Sequence, residues 1–116
     1  MSQDQIEITF EYSRYVGPRY IRGGVTLQFD SSQPYTFTSH AHWPVESYES
    51  AVRAEVEQVL REKFGNLERV KVVLTRIMWD DVASNEMGFR RAARAAAEAA
   101  FPDGPQRPPQ DLAVLK

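Results

Sequence analysis

Residues 77–101 read IMWDDVASNEMGFRRAARAAAEAAF, and the second half of that stretch decides the fold. Phe89, Ala92, Ala93, Ala96 and Ala100 recur at spacings of three and four, which gathers them on one helical face. Arg90, Arg91, Arg94 and Glu98 fall on the opposite face, with Met87 an apolar outlier among them. Ser84 is the expected N-cap, because its hydroxyl oxygen can accept from a first-turn N–H. Glu86 adds negative charge at the positive end of the helix dipole. One ring and four alanines let the helix axis lie close to whatever it covers. The natural cover is a sheet with one apolar face, and the rest of the chain can supply it.

Upstream, Ile6, Ile8, Phe10 and Tyr12 alternate with Glu7, Thr9 and Glu11, the period-two pattern of a strand with one wet face. The alternation stops at SRYVGPRYIRGG, residues 13–24, whose Gly and Pro density predicts a long basic loop. It resumes over residues 25–29, so 6–12 and 25–29 are expected to form a hairpin around that loop. Residues 35–41, YTFTSHA, predict a third strand, ended by Pro44, which has no N–H for a ladder.

From Pro44 a helix is expected, burying Val45, Tyr48, Val52, Val56 and Val59, with Ala51, Leu60 and Phe64 widening the face. Glu49–Arg53 and Glu57–Arg61 are candidate i,i+4 pairs, and Gly65 is the expected residue just past the helix end. Residues 69–78, RVKVVLTRIM, give a fourth strand. The order β-β-β-α-β-α predicts a two-layer α+β sandwich: a four-stranded sheet with two helices on one face, its first three strands antiparallel in sequence order. Residues 1–101 form the expected domain. Residues 102–116 are rich in proline and read as a flexible tail, in which 111–115 could dock on a sheet edge.

The totals narrow the function. A chain of 116 residues with 42% hydrophobic and 26% charged residues fits one globular domain. A net charge of −2 announces no global basic field, so any nucleic-acid role must rest on a local patch. Without cysteine there are no disulfides and no thiolate metal sites, which fits a reducing compartment. The N-terminal MSQDQIEI has neither a basic nor an apolar leader region, and no run approaches a membrane span, so the expected setting is cytoplasmic.

Arg14, Arg19 and Arg22, interleaved with Tyr15 and Tyr20, form the main candidate site. Arginine pairs phosphates bidentately and tyrosine can stack on unpaired bases, which suits RNA; the bland alternative is a solvated basic loop. His40 and His42 share a strand face, but a zinc site needs further ligands that the sequence does not offer, so no metal is expected. No nucleophile–base set can be assembled, so the domain is read as non-catalytic and free of cofactors.

Three blocks resemble domain IV of translation elongation factor G, a domain shared with the tetracycline-resistance ribosomal protection proteins. Val82-Ala83-Ser84-Asn85-Glu86-Met87-Gly88-Phe89 is similar to the family's V-D-S-S-E-M-A-F. The segment 14–27 follows R-Q-S-G-G-R-G-Q-Y-G-H-V-V-I without a gap, keeping Arg14, Gly17, Arg19, Gly23 and Val25. Residues 43–48 resemble I-P-K-E-Y with one extra residue. The resemblance covers roughly residues 5–101 and implies a stand-alone, ribosomal-protein-type α+β domain. Its tip, loops 14–24 and 79–84, would bind the small ribosomal subunit or structured RNA, with Trp79 and Asp80 as further tip residues, although the tandem acids Asp80-Asp81 would repel phosphate. Two departures stand out: Trp79-Asp80-Asp81-Val82 replaces Y-H-D-V, removing the tip histidine, and Gly24 replaces a second histidine. There is no phosphate-binding loop, so no nucleotide is expected and only binding could carry over. The alternative expectation is a module that kept the fold but lost RNA, meeting a protein partner or a second copy through its open sheet face.

Overall fold

The computed structural model describes residues 5–102. Its element order is β1 (Gln5–Val16), β2 (Arg19–Pro34), β3 (Thr36–Ser39), α1 (Glu49–Phe64), β4 (Arg69–Met78) and α2 (Glu86–Ala100). The α+β class and the order of elements are those predicted. Of the expected tail only Pro102 is described; residues 103–116, with the docking segment 111–115, lie outside the described residues.

The sheet order is β1-β2-β4-β3, with β3 parallel to β4. This corrects the expectation of three sequential antiparallel strands. β3, α1 and β4 form a βαβ crossover, the connection that parallel neighbours need. β4 therefore slots in beside β2, antiparallel to it, and β3 is left at the edge.

The expected basic loop is also corrected. β1 and β2 pair without interruption from Gln5↔Asp30 to Val16↔Arg19, leaving only Gly17-Pro18 as the turn. Gly17 has φ 63, the left-handed region that a two-residue hairpin loop requires of its leading glycine. Gly23 and Gly24, which suggested a turn, lie inside β2 because other chain segments press against them there. An added Cβ on Gly23 would stand 2.7 Å from the Gly88 carbonyl carbon, while one on Gly24 would meet the Met78 side chain.

Val25, Leu27 and Phe29 of β2 and Val70, Val72 and Leu74 of β4 face the helices. They meet Val52, Val56, Val59 and Leu60 of α1 and the alanine stripe of α2, to which Ala97 adds itself. Small side chains let α2 lie directly on β2, where Gly88 and Gly23 put backbone against backbone. Helix α1 begins at Glu49 rather than Pro44, so Val45 sits 80% exposed instead of in the core. Gly65 closes α1 in the left-handed conformation, φ 87, as expected. The anticipated pair of Glu49 with Arg53 gives way to Glu57, which takes both Arg53 at 2.8 Å and Arg61 at 4.0 Å. Among the described residues, no helix is long and apolar enough to cross a membrane.

Candidate nucleic-acid interface

The site begins with the turn between β4 and α2. Asp80 folds back on itself: its carboxylate accepts the Ala83 N–H at 2.8 Å and the Val82 N–H at 3.0 Å. Those two N–H groups, with a smaller contribution from Arg22, hold its pKa below the ordinary 3.8. Ser84 belongs to the same turn rather than to the helix cap, because its Oγ accepts the Asp80 N–H at 2.8 Å. The cap of α2 falls one residue later, where the Asn85 side chain accepts the Gly88 N–H at 2.9 Å.

This turn is fastened to the hairpin at Arg22. The Arg22 N–H donates to the Ala83 carbonyl at 3.1 Å, and Arg22 and Ser84 form a parallel bridge. The guanidinium pairs with Glu11 across the ladder and reaches Asp80 at 3.7 Å. Between two carboxylates, Arg22 is a brace joining the turn to β1 and β2.

Trp79 has a structural setting too. Its ring stacks on Tyr48 at 6.1 Å and on Phe89 at 5.7 Å, with Trp43 edge-on at 6.4 Å, and its indole N–H donates to Asp81. This cluster ties the segment before α1 to the start of α2.

Beyond Arg22 the hairpin continues for about five residues, a reach of roughly 15 Å at strand rise. The predicted two-loop tip is therefore uneven, with the hairpin standing ahead of the 79–84 turn. Every residue from Ser13 to Tyr20 is exposed. Tyr15 and Tyr20 pair with ring centroids 4.9 Å apart, and the Tyr20 hydroxyl is hydrogen-bonded to Ser13. Arg14 and Arg19 lie on the helix side of the hairpin, in the register rows Arg14↔Ile21 and Val16↔Arg19. Among the described residues, neither has an ion-pair partner.

Of the α2 arginines, Arg90 bonds Glu55 at 3.1 Å and Glu86 at 2.7 Å, and Arg94 bonds Glu62 at 2.9 Å. The pairs with Glu55 and Glu62 lock α2 to α1, while Glu86 is a neighbour within α2. Arg91 stands apart, exposed, with its guanidinium 5.9 Å from the centre of the Tyr12 ring. Sequence reasoning reads Arg90, Arg91 and Arg94 alike as a solvated helix face, with phosphate binding the less favoured alternative, because helical periodicity makes the three equivalent. His40 and His42 are exposed beyond the end of β3.

What these elements define is a two-layer α+β domain that projects a basic, tyrosine-bearing hairpin. The chain is similar to the crystal structure of a protein from Thermus thermophilus, with a TM-score of 0.72 and 18% identity over 84% of this chain. It spans only 16% of that protein, and at this identity the likeness is one of fold. No family model matches the chain. No curated protein matches it either.

Proposed function

We propose that the domain is a non-catalytic binding module that engages structured RNA, with the small ribosomal subunit as its target, through the projecting hairpin. One observation carries this reading. At the far end of the hairpin, Arg14 and Arg19 stay unpaired among the described residues beside two exposed tyrosines, while Arg22 is held by acids. Unpaired guanidinium groups on a rigid ribbon can meet phosphates without first breaking an ion pair. The tyrosines offer faces and edges for unstacked bases. Arg22, Trp79 and Asp80 act as positioning residues that fix the hairpin's angle. The translation-factor resemblance in residues 14–27 and 82–89 supports the ribosomal target. The module needs no nucleotide, metal or other cofactor, and works in the cytoplasm.

Co-sedimentation with isolated small ribosomal subunits at low and moderate salt tests this. Each of Arg14→Ala and Arg19→Ala is expected to weaken binding and lower its logarithmic salt slope by ~0.7. Salt-independent binding, or variants that sediment like the parent, would refute it. A second reading draws on Glu7, Glu11 and Asp30, which line the open face of β1 and β2 and repel an anion. It places a protein partner or a second copy there, and predicts a stable complex that hydrogen exchange maps to that face.

A further inference from the structure

By strand parity the hairpin puts its acids on one side and its unpaired cations on the other; Arg22, in the open-side row Ser13↔Arg22, is held there by Glu11 and Asp80. Cross-strand partners share a face, so the rows Glu7↔Gln28, Glu11↔Gly24 and Gln5↔Asp30 put every acid of β1 and β2 on the open side. The opposite side carries Tyr12↔Gly23, Arg14↔Ile21 and Val16↔Arg19, which contain two cations and no acid. An anion approaching the hairpin meets repulsion on one face and attraction on the other.

Helix α2 extends the attractive face. Gly88 abuts Gly23, whose ladder partner is Tyr12. Arg91 lies three residues after Gly88, on the same helical face, and so comes over the Tyr12 ring. Glu55, Glu86 and Glu62 already hold Arg90 and Arg94, which leaves Arg91 as the cation that α2 presents here. Arg19, Arg14 and Arg91 then form a line down the flank, in steps of roughly 7 Å.

We propose that the RNA sugar–phosphate backbone runs along this helix-side flank, and that Arg91 is a phosphate-binding residue at its inner end. The inference rests on the RNA reading above and adds to it a face, a direction and a residue. The backbone path avoids the open side of the sheet, and the Tyr15–Tyr20 pair, which lies on that side at the hairpin's end, is left for bases rather than phosphates.

The test uses the full chain and isolated small ribosomal subunits at low salt, comparing the parent with Arg91→Ala, Arg91→Lys, Arg14→Ala and Arg76→Ala. Arg76 is exposed and pairs in register with Thr26, which places it on the open face. Arg91→Ala is expected to weaken binding roughly fivefold, the scale of one exposed charged contact. Arg91→Lys should recover most of that loss, and Arg76→Ala should bind like the parent. If Arg14→Ala weakens binding while Arg91→Ala does not, the flank path is wrong and the RNA reading stands. If Arg76→Ala is the weaker binder, the RNA crosses the open face and the path is overturned. A parent that fails to sediment with the subunits removes both proposals together.

Discussion

The contact of Gly23 with Gly88 gives the sharpest stability test. An alanine Cβ at position 23 would sit 2.7 Å from both the Gly88 carbonyl carbon and the Phe89 nitrogen, against the 3.4 Å at which ordinary contact begins. Both neighbours are backbone atoms of α2, so no side chain can rotate away. The helix must move by about 0.7 Å, and its alanine stripe has to slide with it over β2. Overpacking of this kind costs ~1–3 kcal/mol, and the backbone-on-backbone geometry argues for the upper half. Replacing a strand glycine returns ~0.5–1 kcal/mol of chain entropy. A net loss of about 2 kcal/mol follows, or roughly 8–16 °C in Tm for a domain of this size. Gly24→Ala is the control, because the nearest atom there is the Met78 methyl at 2.4 Å, the end of a flexible side chain. Thermal and urea melts of the two variants decide the matter. If Gly23→Ala melts with the parent, or Gly24→Ala falls as far, the close approach of α2 to β2 is not as described.

Three further outcomes are expected. Asn85→Ala removes the side chain that accepts the Gly88 N–H, at a cost of ~1 kcal/mol; a urea midpoint unchanged from the parent would move the cap elsewhere. The folded Asp80 carboxyl binds its proton less readily than the unfolded one, so its stabilisation is complete above pH 3.8 and fades as the pH falls through the lower folded value. The stability gap between parent and Asp80→Asn should therefore narrow in acid, and a gap constant with pH would contradict this. Burial, then its hydrogen bond to Glu57, pushes the Tyr35 hydroxyl up to about 12. Its stabilising share is present below pH 10, the ordinary value, and is lost as the pH rises through about 12. Burial also raises Tyr48 above the ordinary value, so spectrophotometric titration should find that Tyr35→Phe abolishes the last tyrosine transition and leaves the others.

How much of this was legible depends on which physical signal each segment carried. The 3.6-residue period of α2, the β-branched run of β4 and Gly65 were each sufficient in themselves, and each element ends where its signal ends. The full length of the hairpin was not legible, because Gly17-Pro18 and Gly23-Gly24 look alike as sequence. One pair makes a turn; the other makes room for a helix and a methionine, a contact that only tertiary structure reveals. The parallel pairing of β3 was in principle readable, since a strand, a helix and a strand in succession imply a crossover. Ser84 and Asn85 are both good caps, and what separates them is the bond Ser84 makes to Asp80. The candidate site mixed two kinds of residue that composition cannot separate. Arg14 and Arg19 extend from the hairpin, while Arg22, Trp79 and Asp80 hold it in place.

That separation changes how the acidic turn bears on function. An aspartate in place of a tip histidine first suggests a surface hostile to phosphate. In the structure, however, the Asp80 charge is spread over two backbone N–H groups and faces Arg22. Arg22 in turn is shared with Glu11, so the brace of one arginine and two acids carries a formal charge of −1. Because Glu11 lies on the open face, the turn and the open side of β1 form one weakly acidic surface. Exposed charges more than a Debye length apart, ~10 Å at ordinary ionic strength, scarcely feel one another. Arg19 stands three residues beyond Arg22, roughly 10 Å along the strand and so about one Debye length from the brace, where its field is weakened. Arg14 and Arg91 are nearer, but they point to the other side of the sheet from Glu11. The substitution at position 80 therefore does not cancel the basic surface; it helps to set which face of the hairpin an anion can use.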